Sequence, residues 1–500
     1  MNHTRQEFRL TFPGAKTAGR LPSSVSLPRT ANSMRRDGHS YPALGKLGDL
    51  AYPGLVLFAV FVALICGGGT RQGLWSDALA QIVSLPLLAV VAFRLKALPS
   101  SQLRLPLFLI FAVVLVPVLQ LVPLPPGLWT ILPGRAEVAE GYKAAGMSLP
   151  FLPISLEPLT TLRSVLSLLP AVAVFLGVFC LREAEFRWVL LLVFSVAIVG
   201  VGLELMQLVG GVHSPLRFYN ITDVHRGVGL FANSNHQAAF LYAVIPYAAI
   251  WAILPRGDPR ARRVFRLTFS AILLIVIVIG LPATLSRAGV FLGLVAGLCS
   301  ILLVASCTTG AERRRIIKVG AAANVVALLL AFQFGFAGIA ERISGTASSS
   351  DLRWPLVSVT AKAAKDYSPV GSGTGTFAPI YQRYEPLGSL QETYVNRAHN
   401  DWVESWLEGG LASAAVVCVL VACYVFLAYR SWRTADPNSR LVAYGRAGSI
   451  CVGLLLAHSI VDYPLRTTAL MVMVAISCAF MLRVYLEKST TSVAGSKAAS

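Results

Sequence analysis

The chain alternates long apolar runs with short polar connections. Windows of about 18 or more nearly uncharged residues fall at roughly 52–69, 77–94, 105–122, 164–181, 188–209, 237–254, 267–285, 288–306, 317–339, 411–429, 446–462 and 467–485. Each is long enough to cross a bilayer core as a helix. The pattern predicts an all-α polytopic membrane protein of about 12 transmembrane helices with a large, partly helical loop between the ninth and tenth. In that loop, "SSSDLRWPLVSVTAKAAKDYSP" carries apolar positions at Leu352, Leu356, Val359 and Ala363, Pro355 early and Pro369 as a stop. That spacing predicts an amphipathic helix along the membrane surface, starting from a Ser or Asp cap. Five regions follow: an arm at 1–50, spans 1–9 over 51–339, the loop 340–400, spans 10–12 over 401–486 and a tail at 487–500.

Composition agrees: 55% of residues are hydrophobic and 13% charged, against about a quarter charged in soluble domains. Charge then orients the chain. With the N-terminus inside, the inside connections include "RLKALPSSQLR", "PRGDPRARRVFR" and "YRSWRTADPNSR", all basic, whereas the outside connections carry no basic cluster. The positive-inside rule therefore places both termini in the cytoplasm. The net charge of +19 is this signal summed, not a nucleic-acid-binding face. The arm, rich in Arg, Ser and Pro, reads as disordered and lacks a cleavable-signal pattern. All eight cysteines lie in or at the edge of apolar spans, which excludes a disulfide framework and a cysteine zinc site.

Polar residues at membrane depth are costly and mark function, and three concentrations of them lie on the outside face. The first, "RFYNITDVHRGVGLFANSNHQAAFLYAV", brings Arg217, Arg226, Asn233, Asn235 and His236 to the start of span six; an ordinary re-entry turn is the competing reading. The second, "LPATLSRAGVFLGL", places Arg287 in a tight outer hairpin, as an anion-binding guanidinium or as a snorkelling one. The third is the 340–400 loop with its end, "AHNDWVESWLEGGLA". There Asp401 and Glu404 have capping-box spacing, so a helix starts near Asp401 with His399 just ahead of it. A neutral imidazole beside the positive helix end can accept a proton next to a bound phosphate, as a general base does. Within the loop, "VGSGTGTF" reads as a glycine turn rather than a phosphate cradle, because no strand-to-helix context surrounds it. Asp462, in "HSIVDYPLR", reads first as the ion-pair partner of Arg466 and second as a residue that positions His399.

On "RGVGLFANSNHQAAFL" (226–241), "TLSRAGVFLGL" (284–294), "RWPLVSVTAKAAKDYSPVGSGTGTFAPIY" (353–381) and "HNDWVESWLEGGL" (399–411), the chain resembles the superfamily of O-antigen ligases and of O-antigen and exopolysaccharide polymerases. The resemblance covers about residues 50–485. It implies a GT-C-like, multi-spanning, metal-independent glycosyltransferase of the bacterial inner membrane, with no cofactor. Such an enzyme transfers a glycan from undecaprenyl diphosphate at the periplasmic face. By the same resemblance His399 is the base and Arg287 a diphosphate ligand, with Arg226 or Arg217 as the second arginine; Asn400, Asn233, Asn235 and Asp462 would support them. No Asp-x-Asp pair points to a bound Mg²⁺, and attack with a single base predicts inversion at the anomeric carbon.

The acceptor is another glycan if the chain is a polymerase, and lipid A core if it is a ligase. The long outer segments 123–163 and 340–400, able to hold a bulky acceptor, favour polymerase. A flippase and chain-length-control proteins are partners that the resemblance implies. A transporter of lipid-linked glycans is the competing class. Transporters carry ionisable groups near the bilayer midplane, whereas these spans read as clean and the charge gathers at one face.

Overall fold

The computed structural model describes residues 46–498 except 72, 255–258, 344–352, 391–393, 435, 437 and 438. Residues 1–45 of the expected arm, and the expected cap of the surface helix, lie outside the described residues. The last five residues of that arm, 46–50, are helical.

The elements run α1 (Lys46–Cys66), α2 (Trp75–Leu95), α3 (Ser100–Leu119), β1 (Pro123–Leu124), α4 (Pro126–Trp129), α5 (Ala136–Ala144), β2 (Leu152–Pro153), α6 (Pro158–Ser167) and α7 (Leu169–Phe179). They continue through α8 (Phe186–Val209), α9 (Ser234–Ile253), α10 (Arg260–Ala283), α11 (Arg287–Ser306), α12 (Gly310–Ile343), α13 (Arg353–Asp366) and α14 (Phe377–Gln382). The last three are α15 (Asp401–Arg433), α16 (Arg440–His458) and α17 (Thr468–Ala498). Every apolar window falls on a helix, the fourth on the pair α6–α7, which breaks at Leu168 just before Pro170. Ten helices among the described residues are long and apolar enough to cross a membrane, and α1 adds a shorter apolar stretch, Ala51–Cys66. The only strands described are the two-residue pair β1–β2. This is an all-α polytopic membrane protein.

Burial sorts the helices. In α9 and α16, 78% and 83% of the apolar window is buried in protein, against 6% in α15. The central helices are tied by polar contacts as well as packing: Tyr242 of α9 meets Nδ1 of His458 at 2.8 Å, and Tyr247 meets Ser477 of α17 at 2.6 Å. Outward-facing Phe58, Phe93, Phe111, Phe291 and Phe426 are exposed, as side chains that face lipid should be. At the end of the bundle opposite the long loops, arginines cap helix C-termini, whose carbonyls lack helical partners and carry negative dipole. Arg483 donates to the carbonyls of Phe179 (2.9 Å) and Leu181 (2.6 Å), and Arg446 to that of Thr434 (2.7 Å).

One expectation fails within the spans. They are not free of ionisable groups, because α8 buries Glu204, whose carboxylate accepts from Gln237 Nε2 at 3.0 Å. The unbranched backbone of Gly227 in the loop before α9 is what makes room for it: a Cβ there would overlap the Glu204 side chain.

Because α15 buries so little of itself, its position is fixed at its start. Two devices do this. The first is close backbone packing against "VGSGTGTF". Ser372 N donates to the Leu407 carbonyl (3.0 Å), Gly373 N to the Glu408 carbonyl (2.9 Å), and Leu411 N to the Pro369 carbonyl (2.8 Å). The amides of that run are therefore taken up within the protein, by α15 and by Gln120 Oε1 at 2.9 Å from Thr374 N, so it is a packing turn. Gly410 kinks α15 at φ 62°, ψ −154°, a conformation open essentially to glycine alone, and a Cβ there would overlap the Pro369 carbonyl. Arg135 joins segment 123–163 to the same turn by donating to the Gly371 carbonyl at 2.7 Å. The later loop thus folds onto the earlier one, with Tyr367, Phe377, Tyr381 and Leu407 as a small apolar core beneath. Helix α13 contributes Ala363 and Ala364 to that core.

The second device is a buried ion cluster, and it corrects the capping-box expectation. The N-cap is Asn400, whose side-chain oxygen accepts from Trp402 N and Val403 N, both at 3.0 Å. Asp401 and Glu404 are not caps. With Glu408 they surround Arg466, at 3.4 Å (Asp401), 3.6 Å (Glu404) and 2.7 Å (Glu408). Arg397 closes the cluster at 2.8 Å from Glu404. Burial acts to lower the Arg466 guanidinium, but Glu408, Glu404 and Asp401 outweigh it and hold it above its ordinary range. Three carboxylates on successive turns of α15 thus grip one cation from the turn before α17.

Two outcomes follow for the purified, detergent-solubilised protein. Gly410→Ala strains the kink by about 1–3 kcal/mol and lowers the thermal unfolding midpoint; an unchanged midpoint contradicts the packing described. Arg466→Met leaves three buried carboxylates short of their cation, at about 3–5 kcal/mol. A larger fall in midpoint than for Gly410→Ala is expected in the same assay, and a wild-type midpoint contradicts the cluster's role.

Candidate active site

The start of α15 is fastened to the turn after α16. Asp401 N donates to the Ser459 carbonyl (3.0 Å), and Asn400 Nδ2 to the Ile460 carbonyl (2.8 Å). That register sets His399, the residue before the cap, with its Nδ1 3.1 Å from Asp462 Oδ1. His399 holds φ 52°, in the left-handed region that residues other than glycine adopt uncommonly. Such strain persists only where the surroundings over-determine it.

Asp462 is fully buried and well supplied with donors. It accepts from Asn235 Nδ2 at 2.6 Å and from Tyr463 N at 2.9 Å, besides His399. Burial pushes its carboxyl up, but the His399 hydrogen bond and the His399, His236 and His458 imidazoles outweigh that and hold it well below the usual carboxylate range. An ionised carboxylate only accepts, so the hydrogen between the two residues sits on His399 Nδ1, and Nε2 is the ring nitrogen left to face outward. The His399 side chain is 26% exposed. The arrangement is an imidazole oriented through one nitrogen, with the other left open.

The first turn of α9 forms the other wall. Asn233 caps the helix by accepting from Asn235 N (2.8 Å), and Asn235 turns its amide onto Asp462. The Tyr463 ring stands edge-on between His399 (4.9 Å) and His236 (4.8 Å). His236 is itself buried, its Nδ1 2.8 Å from Thr467 Oγ1. The two other polar concentrations arrive at this same helix start. Asp223 accepts from the Ser234 amide (3.0 Å) and hydroxyl (2.7 Å), which anchors the loop bearing Arg226. Gly227 N donates to the Ala283 carbonyl (3.2 Å), four residues before Arg287. Gly289, in the first turn of α11, packs so closely on Ala238 that a Cβ would overlap it.

The structure therefore brings His399, Asn400, Asp462, Asn233 and Asn235 into one connected site, with Arg226 and Arg287 on elements packed against the same helix start. Arg287 is exposed and Arg226 half-buried. Arg217 is engaged otherwise: its guanidinium donates to the carbonyls of Asp223 (2.9 Å) and Arg226 (3.0 Å), stapling the loop. The first reading of Asp462 is corrected, since it pairs with His399 while Arg466 pairs with the α15 carboxylates. Sequence reasoning passed over Tyr463, Arg397 and the grouping of Glu408 with Arg466. The spacing of Asp401, Glu404 and Glu408 on one helical face was the available signal.

No curated protein matches the chain. Residues 269–418 match the family model described as O-Antigen ligase, a range that holds both Arg287 and His399. Over that stretch the chain is similar to O-antigen ligases.

Proposed function

We propose that the protein is a glycosyltransferase of the bacterial inner membrane, crossing it twelve times with both termini in the cytoplasm. At the periplasmic face it transfers a glycan from undecaprenyl diphosphate to a glycan hydroxyl, acting as a polymerase of exopolysaccharide or O-antigen. The observation that carries this reading is the His399–Asp462 pair, one open imidazole nitrogen held by a buried carboxylate beside two arginine-bearing turns. His399 Nε2 takes the proton of the acceptor hydroxyl as its oxygen attacks the anomeric carbon. The bond from that carbon to the diphosphate oxygen breaks on the opposite side, which inverts the configuration. Arg287 and Arg226 neutralise the charge that develops on the leaving diphosphate. Asp462 stabilises the imidazolium that forms, without taking its proton.

A groove suits the lipid half of such a donor. About 1260 Å³ lies between α9, α10, α11 and α12, lined by apolar side chains such as Leu274, Ile277, Leu294 and Ile301. It runs from Pro282 and Val290, flanking Arg287, to Arg263 and Arg315 towards the far end. A polyprenyl chain laid there would present its diphosphate at the Arg287 turn. Polymerase is favoured over ligase by the two long outer segments, which the Arg135–Gly371 contact joins and which together could hold a bulky acceptor.

In a transfer assay with lipid-linked donor, His399→Ala costs roughly 10²–10⁴-fold while the protein stays folded. Arg287→Ala also stops transfer, and lipid-linked donor accumulates in cells carrying either variant. Full activity of well-folded His399→Ala overturns the base assignment. Movement of lipid-linked glycan across liposomes without extension overturns the enzyme reading. In a deletion strain, single repeats attached to lipid A core indicate a lost polymerase, and unattached long polymer a lost ligase.

A further inference from the structure

A second cavity at the loop end of the bundle lies behind the ion cluster. It holds about 390 Å³ between α2, α3, α6, α15 and the start of α17, and it does not include His399. Its wall carries four guanidinium groups, Arg71, Arg163, Arg397 and Arg466, against two carboxylates, Asp77 and Glu408. Both carboxylates are occupied within the protein: Glu408 holds Arg466 at 2.7 Å, and Asp77 accepts from Thr468 Oγ1 at 3.4 Å. Two of the arginines are not so held. Arg71 lies over the Tyr394 ring at 5.1 Å, and Arg163 stands beside Gly73, where a Cβ would be 3.8 Å from its guanidinium. Among the described residues neither forms an ion pair with a carboxylate. Trp75, also lining the cavity, is 92% exposed.

These features specify a ligand. Two unmatched guanidiniums in one pocket favour an oxyanion, which their fork geometry binds by paired hydrogen bonds. An exposed indole offers a flat apolar face of the kind that a sugar ring's C–H face covers. The hydroxyls of Ser164, Ser167, Thr374 and Ser405 are already engaged within the protein but keep lone pairs that can accept from a ligand, and the volume suits a short saccharide. Two of the cavity's arginines lie close in sequence to the proposed catalytic pair: Arg397 is two residues before His399, and Arg466 four after Asp462.

We propose that this cavity is a glycan subsite that takes an acidic sugar of the acceptor or growing chain, with Arg71 and Arg163 on its carboxylate and Trp75 under its ring. The assignment rests on the glycosyltransferase reading for its role, but its test needs no transfer. Full-length protein in nanodiscs is titrated calorimetrically with tetragalacturonate, maltotetraose and inorganic phosphate. Tetragalacturonate is expected to bind, with maltotetraose and phosphate each roughly tenfold weaker or more. Arg163→Ala and Arg71→Ala should each weaken tetragalacturonate about tenfold, and Trp75→Ala should weaken it too, while Arg287→Ala should not. Equal binding of maltotetraose, or wild-type affinity in both arginine variants, overturns the acidic subsite. Phosphate binding as tightly as tetragalacturonate, and weakened by Arg163→Ala and Arg71→Ala but not by Arg287→Ala, reduces the cavity to a simple anion trap and overturns the glycan assignment. A protein that binds tetragalacturonate in this way yet transfers nothing keeps the subsite and loses the enzyme reading.

Discussion

The apolar span of helix α15 is little buried by protein, and the structure around the candidate site depends on how the helix's first turns are held. In lipid there is little hydrophobic drive to press one helix onto another, because the tails are as apolar as leucine. A helix with 6% of its apolar window buried must be positioned by polar contacts. Arg466 supplies them, held by Asp401, Glu404 and Glu408 from one face of the helix. Buried ion pairs of this kind add little net stability compared with apolar packing, but they fix register, since each charge is costly in any other arrangement. Here the register fixed is that of the residue just before the helix.

The consequence reaches His399 along a short path. The cluster holds α15 against the 459–467 turn, the Asn400 and Asp401 hydrogen bonds set the chain one residue at a time, and the left-handed backbone at His399 turns its ring onto Asp462. From the other side, the capped start of α9 delivers Asn235 to the same carboxylate. The proposed base is thus oriented by three segments far apart in sequence, none of which touches its open nitrogen. The glycine run 370–376 serves the same end from above, as its amides cover the kinked carbonyls of α15.

Much of this was legible in the residues. Apolar windows locate helices because the bilayer demands long uncharged runs, and each of the twelve fell on one. The polar concentrations at Arg226–His236, Arg287 and His399–Glu408 meet at α9 because membrane proteins group such residues at one face. Partner choice was not legible. Asp462 lies four residues from Arg466 and 63 from His399, so local spacing favoured the wrong partner. Asp401 and Glu404 matched a cap by spacing alone, while Asn400, one residue earlier, had the geometry. Glu204 was passed over because a single acid barely lowers the hydropathy of a 22-residue window, though packing with Gln237 and Gly227 gives it a place.

The central claim is that Asp462 acts through His399 and the two form one catalytic unit. A double-mutant cycle tests this most directly, with transfer rates from labelled lipid-linked donor measured for wild type, Asp462→Asn, His399→Ala and the double variant. Residues acting as a unit are strongly non-additive. Asp462→Asn should lower the rate of the wild type by roughly 10²-fold or more yet cost nothing further once His399 is alanine. Losses that multiply in the double variant would show that Asp462 works independently of His399 and would contradict the account.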